Sequence, residues 1–75
     1  MAAFIIIGEL RKAISGDYEI AFSGAFRDQQ IKKVYLLFDI KYISLLKENV
    51  VVEVYRDHLK NKTVYCTEYK IRKIF

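Results

Sequence analysis

The chain has 75 residues, of which 53% are hydrophobic and 15% aromatic, and thirteen Lys and Arg against nine Asp and Glu give it a formal net charge of +4. This length predicts one domain over residues 1–75 with a single core, and the apolar content argues against a disordered chain. One cysteine excludes an intrachain disulfide framework and favours a reducing, cytoplasmic setting. The apolar opening at residues 2–7 is far too short for a membrane span, so no membrane contact is expected.

Two strands are predicted in the first third of the chain. Residues 4–14 are apolar on both faces at first and on one face later, which indicates a long first strand that bends at a bulge near Gly8. Residues 15–17 form a turn by their composition. Residues 18–26 then alternate large apolar with small or polar side chains and form the second strand, which residues 27–30 connect to the next one.

A third strand and a short helix are predicted next. Residues 32–38 alternate as a strand does. Between Asp39 and Glu48 the apolar residues recur at helical spacing, which predicts one or two helical turns with Asp39 as the N-cap. Asn49 is expected to end the helix in a left-handed conformation.

The last third of the chain is predicted to form a β-hairpin. Residues 50–55 are rich in β-branched side chains, which suit a pleated surface, and their even positions form the inner face. A second run of Thr, Val and Tyr begins at Thr63, and the polar residues 56–62 are interpreted as the loop between the two strands. Cys66 falls on an inward position of the second strand, so it is interpreted as a buried core thiol and not as a nucleophile.

Three strands, a short helix and two strands make the chain mainly β. Five strands leave two exposed sheet edges unless the sheet closes, and a long bent first strand joined to a terminal hairpin is one way to close it. This order resembles that of OB-fold nucleic-acid-binding domains over nearly the whole chain, most clearly over residues 45–54, 64–65 and 70–71. The resemblance implies a small five-stranded OB-fold-like barrel with one short helix between strands three and four. The alternatives are an SH3-like barrel and an α+β sheet with the helix packed on one face.

No pattern in the sequence predicts catalysis or a cofactor. One His and one Cys cannot make a zinc site within a chain, and the three Gly are isolated instead of forming a phosphate-binding loop. Asp57 beside His58 is interpreted as a pair of solvated residues in a polar segment. We therefore expect no enzyme activity, no metal and no cofactor.

A basic and aromatic surface remains as the candidate site. Residues 39–75 hold eight basic and five acidic side chains, so this half carries +3 of the +4 charge. Cations along the phosphates and rings under the bases are the features that bind single-stranded nucleic acid. The resemblance implies a binding surface on the outer face of strands two and three and the adjoining loops. The candidate residues are Arg11, Lys12, Arg27, Lys33, Tyr35, Tyr55, Arg56, His58, Lys60, Lys62 and Tyr65.

The predicted function is binding of single-stranded DNA or RNA, with residues 56–62 as a basic clamp. Against a stacking platform, the outer face of strand two offers Glu19 and small side chains but no ring. The alternative is a protein-interaction module or a small homodimeric or homo-oligomeric subunit without nucleic-acid contact. It is based on four apolar side chains on faces that alternation would expose: Ile5, Ile7, Leu37 and Val51.

Overall fold

The computed structural model describes residues 1–22 and 31–74. The mainly β prediction is confirmed, with five strands in these residues and one short 3₁₀ helix between the third and the fourth strand. The elements are β1 (Phe4–Lys12), β2 (Tyr18–Ala21), β3 (Lys33–Leu36), the 3₁₀ helix (Ile40–Leu45), β4 (Asn49–Lys60) and β5 (Thr63–Lys73). The end predicted for strand two and the connection at 27–30, with Arg27, lie outside the described residues.

The sheet closes into a barrel with the strand order β1-β2-β3-β5-β4. β1 closes it, because its residues 4–9 pair with β4 and its residues 9–12 pair with β2. All pairs are antiparallel except β3 with β5, which is parallel. A closed five-stranded barrel with this helix position is compatible with an OB-like fold.

The bulge predicted near Gly8 is wrong. The pairing of β1 with β4 runs without a register shift through Gly8, which lies opposite Val50. A Cβ atom on residue 8 would lie 2.8 Å from Ile20 Cγ2 and closer still to the carbonyl oxygen of Ala21. Glycine is therefore needed here because β2 approaches closely, and not because the strand bulges.

The turn between β1 and β2 is confirmed. Gly16 has a φ of 101°, a conformation that L side chains rarely adopt. Its N–H donates to the carbonyl oxygen of Ala13 over 3.0 Å, and the Ala13 N–H donates to the carbonyl oxygen of Asp17 over 2.8 Å. These two hydrogen bonds close the turn next to the start of β2.

The inner face of the barrel is apolar, as predicted for the even positions of residues 50–55 and for Cys66, which is 1% exposed. Ile5, Ile7 and Leu37 are exposed at 56%, 57% and 56%, but the prediction that Val51 is exposed is wrong, because only 7% of it is accessible. Val51 lies on the outer face between its paired neighbours Ile7 and Arg72. Side chains on both neighbouring strands can therefore cover it.

The N-cap of the 3₁₀ helix is confirmed, since the Asp39 carboxylate accepts the N–H of Lys41 over 3.0 Å. The left-handed residue predicted at Asn49 is wrong: Lys47 has the positive φ, 71°, and Asn49 begins β4. The left-handed residue comes two positions earlier because residues 47 and 48 hydrogen-bond to β1. The Lys47 N–H donates to the carbonyl oxygen of Leu10 over 2.7 Å, and the Leu10 N–H donates to that of Glu48 over 3.0 Å.

The β-hairpin is confirmed, but the loop predicted over residues 56–62 is wrong. β4 continues to Lys60, and only Asn61 and Lys62 connect it to β5. Their φ angles of 51° and 61° are those of a two-residue hairpin turn of type I′. Residues 56–60 are mostly polar because most of their side chains face solvent, and not because the chain leaves the sheet.

An irregularity in the pairing of β4 with β5, present on both strands, divides the hairpin into two halves. The ladder passes from Val54 opposite Tyr69 to Asp57 opposite Cys66, so each strand places two residues between these pairs. In a regular strand every second residue faces the same side of the sheet. Here the next inward position comes three residues after the last one, so the irregularity shifts the alternation by one residue. Beyond this point the even positions of β4 face outward, including His58 and Lys60.

Candidate nucleic-acid interface

Three rings are stacked side by side on the outer face of β3, β5 and β4. Tyr35 lies opposite Tyr65 in the parallel ladder, and Tyr65 lies opposite His58 in the hairpin. The centroids of Tyr35 and Tyr65 are 5.8 Å apart with an angle of 28° between the ring planes. Those of His58 and Tyr65 are 5.2 Å apart with an angle of 18°. We call Tyr35, Tyr65 and His58 the ring row; its spacing follows from the separation of neighbouring strands, about 4.8 Å.

Four exposed lysines lie at the end of the barrel next to the ring row. Lys33 and Lys60 both pair with Thr63, one from each side. The N–H of Lys32 donates to the carbonyl oxygen of Lys62 over 2.8 Å, which brings the start of β3 to the hairpin turn. None of the four makes an ion pair with a residue in the described part of the chain. This lysine cluster (Lys32, Lys33, Lys60 and Lys62) is a concentration of uncompensated positive charge.

Six of the eleven predicted site residues therefore share one face: Lys33, Tyr35, His58, Lys60, Lys62 and Tyr65. Lys32 belongs with them but was not predicted, because alternation assigns it to the inner side of a strand that begins at residue 32. The strand begins one residue later, and Lys32 is exposed.

The other described candidates have different neighbours. The guanidinium of Arg11 binds the Glu9 carboxylate at 2.7 Å. Arg56 likewise binds Glu68 at 2.7 Å. Each arginine is thus neutralised locally by a carboxylate on its own or the adjacent strand.

Lys12 and Tyr55 contact side chains outside the ring row. The ammonium of Lys12 lies 4.3 Å from the centroid of the Phe38 ring. The Tyr55 hydroxyl donates to the Glu53 carboxylate over 3.2 Å, and the ammonium of Lys70 lies 5.9 Å from the Tyr55 ring centroid. These contacts tie both residues to neighbouring parts of the barrel.

A groove of about 360 Å³ runs along the Tyr35 end of the ring row. It is lined by the turn between β1 and β2 and by Lys33, Tyr35 and Tyr65. Two carboxylates, Asp17 and Glu19, also line it. In the sequence Glu19 is only an unfavourable charge, because the groove forms only when the turn between β1 and β2 lies beside β3.

Two tyrosine hydroxyls fix the segment that follows β3. Tyr69 donates to the carbonyl oxygen of Leu37, and Tyr18 donates to that of Asp39. Burial raises the pKa of Tyr69 above its ordinary value, and nearby Tyr18 and Asp39 raise it further. The segment after β3 is therefore hydrogen-bonded to both β5 and β2.

Within residues 1–22 and 31–74, no three His, Cys, Asp or Glu side chains are grouped as a metal ion would require. The helical part of the same residues contains no segment long and apolar enough to cross a membrane. The chain matches no protein-family model, no curated protein and no solved structure.

Proposed function

We propose that the ring row and the lysine cluster bind single-stranded nucleic acid. The observation that carries the proposal is their position on one face: three aromatic rings lie directly beside four lysines that no described carboxylate neutralises. Phosphates attract such lysines, and unpaired bases stack on accessible rings. A duplex offers the phosphates but keeps its bases stacked, so the rings favour a single strand.

The stacking within the ring row determines where bases bind. Tyr65 has Tyr35 on one side and His58 on the other, so it has no free ring face. Tyr35 lines the groove at its end of the row. The outer face of His58 contacts no second ring of the described chain, and no described strand pairs with the far edge of residues 56–60. We therefore place one base at each end of the row, against Tyr35 and against His58.

The electrostatic part is tested by fluorescence anisotropy with labelled DNA and RNA strands of about 12 nucleotides, and with a duplex, over a range of salt concentrations. Four phosphate contacts predict a slope of log K against log salt of about −3, from roughly 0.7 per phosphate on a single strand. Lys60→Ala with Lys62→Ala should reduce this slope by about half. Absence of binding even at low salt would reject the proposal.

A matched control removes two lysines elsewhere. Lys41 lies 3.9 Å from the Asp39 carboxylate and Lys73 lies 3.6 Å from that of Glu48, both away from the ring row. Lys41→Ala with Lys73→Ala changes the net charge equally and should leave the slope nearly unchanged. An equal loss in both double variants would mean that only the net charge matters.

The stacking part is tested by Tyr35→Ala. Loss of a stacked base should weaken binding by about 1–3 kcal/mol without changing the salt slope. Tyr55→Ala is the control, since that ring lies outside the row. An affinity that is unchanged in Tyr35→Ala but lower in the lysine variants would mean that the contact is only electrostatic.

A protein contact is the second candidate function. Ile5 and Ile7 are both more than half exposed on the outer face of β1, beside the covered Val51. An apolar pair of this kind suits a protein partner or a second copy of the chain. Sedimentation at high micromolar concentration tests the second copy: a dimer that Ile7→Lys dissociates would support it, and a monomer would leave only a foreign partner.

A further inference from the structure

We propose that Glu19 makes the Tyr35 end of the site selective for guanine, an inference that rests on the proposed single-strand binding. Glu19 of β2 lies directly opposite Tyr35 of β3. Its half-buried carboxylate has no hydrogen-bond or ion-pair partner among the described residues. Its paired neighbour Arg11 binds Glu9 instead.

The geometry places this carboxylate at the edge of a stacked base. Directly opposed residues have Cβ atoms about 4.5–5.5 Å apart. A base on the free face of Tyr35 occupies the groove between this ring and the first turn, where Glu19 is also part of the lining. Lys33 lines the same groove and can meet the phosphate of that nucleotide.

An ionised carboxylate only accepts hydrogen bonds, so it favours the base with the most suitable donors. Guanine presents two adjacent donors, N1–H and the N2 amino group, which match the two carboxylate oxygens. Adenine and cytosine present a single amino group beside a ring-nitrogen acceptor. Thymine and uracil present one N–H between two carbonyl oxygens, which repel the carboxylate. Charge-assisted bonds of this kind are stronger than neutral ones.

The second carboxylate of the groove is already engaged. Asp17 Oδ1 accepts the backbone N–H of Phe38 over 3.2 Å. This bond ties the first turn to the segment after β3, so we assign base selection to Glu19 alone. Asp17 then shapes the groove without reading the base.

A carboxylate on a phosphate-binding face also opposes every strand that cannot hydrogen-bond to it. Selectivity therefore has two parts, an attraction for guanine and a penalty for other bases. This gives Glu19→Gln two distinct effects. It should raise the affinity for thymine-only strands and lower the ratio between guanine and thymine strands.

The test is a set of anisotropy titrations at one salt concentration with three strands of about 12 nucleotides. One strand contains only thymine, and in the others every third base is guanine or inosine, which lacks the amino group. The parent should bind the guanine strand about tenfold more tightly than the thymine strand, with inosine between them. Glu19→Gln should remove most of this difference.

Glu53→Gln is the matched control, because Glu53 is a half-buried carboxylate on the outer face of β4, opposite Ile5 and Lys70. It should leave the base preference unchanged. Equal binding of all strands by the parent, or an equal gain for all strands in Glu19→Gln, overturns the inference and leaves the proposed function intact. Failure of the parent to bind any strand overturns both. The inosine comparison uses the parent alone, so equal binding of the guanine and inosine strands overturns the inference even if the variant fails to fold.

Discussion

Gly8 shows how closely the strands approach where the barrel closes. Any side chain at this position meets the Ala21 carbonyl group and Ile20. We expect Gly8→Ala to lower the free energy of unfolding by about 1–3 kcal/mol, the usual cost of overpacking. Urea denaturation measures the change. An unaltered midpoint would show that β1 and β2 separate easily at this point.

The partly buried hydroxyl of Tyr69 predicts a loss of stability at alkaline pH. Its pKa is raised in the folded protein, because burial disfavours the phenolate. From about pH 10 upward the unfolded chain releases this proton while the folded protein keeps it, so the free energy of unfolding falls as pH rises. Below that pH the hydroxyl is protonated in both states, so Tyr69 causes no loss of stability there.

Tyr69→Phe tests this origin of the alkaline loss. At neutral pH the variant should be less stable by about 1 kcal/mol, because the Leu37 carbonyl loses its donor. Its stability should then decline less steeply than that of the parent between about pH 9 and 11. Urea denaturation at several pH values measures both effects. Parallel declines in the two proteins would assign the loss to other groups.

At the scale of the element, the hairpin turn carries strain that a substitution can relieve. Both turn residues have positive φ, and Lys62 is a residue for which this conformation is unfavourable. We expect Lys62→Gly to raise the free energy of unfolding by about 0.5–1 kcal/mol, as measured by thermal or urea denaturation. Asn61→Gly should gain less, because Asn tolerates the left-handed region. An equal gain at both positions would contradict this account.

The sequence predicted individual elements well where local chemistry decides them. The Asp39 cap, the turn at Gly16 and the strand character of residues 50–55 each depend on near neighbours. The prediction of a loop at 56–62 was wrong because inward and outward positions exchange parity near Tyr55 and Thr67. In a sequence, such an exchange looks like the end of the strand. Gly8 was misread for a related reason: its close neighbour is β2, which lies more than ten residues away.

At the scale of the whole molecule, one small core holds the barrel closed. Val52 is fully buried on β4 and pairs with both Ile6 and Ile71. We expect Val52→Asp to unfold the protein, because an unpaired carboxylate in this core costs several kcal/mol. Circular dichroism and amide exchange would detect the loss. A cooperative melt close to that of the parent would contradict it.

The candidate site is also a product of the whole molecule. Tyr35 and His58 lie far apart in the chain: the parallel pairing of β3 with β5 brings Tyr35 to Tyr65, and the hairpin brings His58 to the same residue. The sequence predicted these three residues through a resemblance in element order. It could not predict that Arg11 and Arg56 are neutralised, because such ion pairs depend on rotamers and on exact strand register.

The unpaired side of β4 has a consequence for the solution behaviour of the protein. Among the described strands none covers the far edge of residues 56–60, and Leu59 is 59% exposed there. Such an edge is a template on which another copy can add a strand, and like charges on the edge keep copies apart. We therefore expect Lys60 and its neighbours to protect the chain from aggregation. Variants that remove these charges to abolish ligand binding should be checked by light scattering, because they also remove this protection.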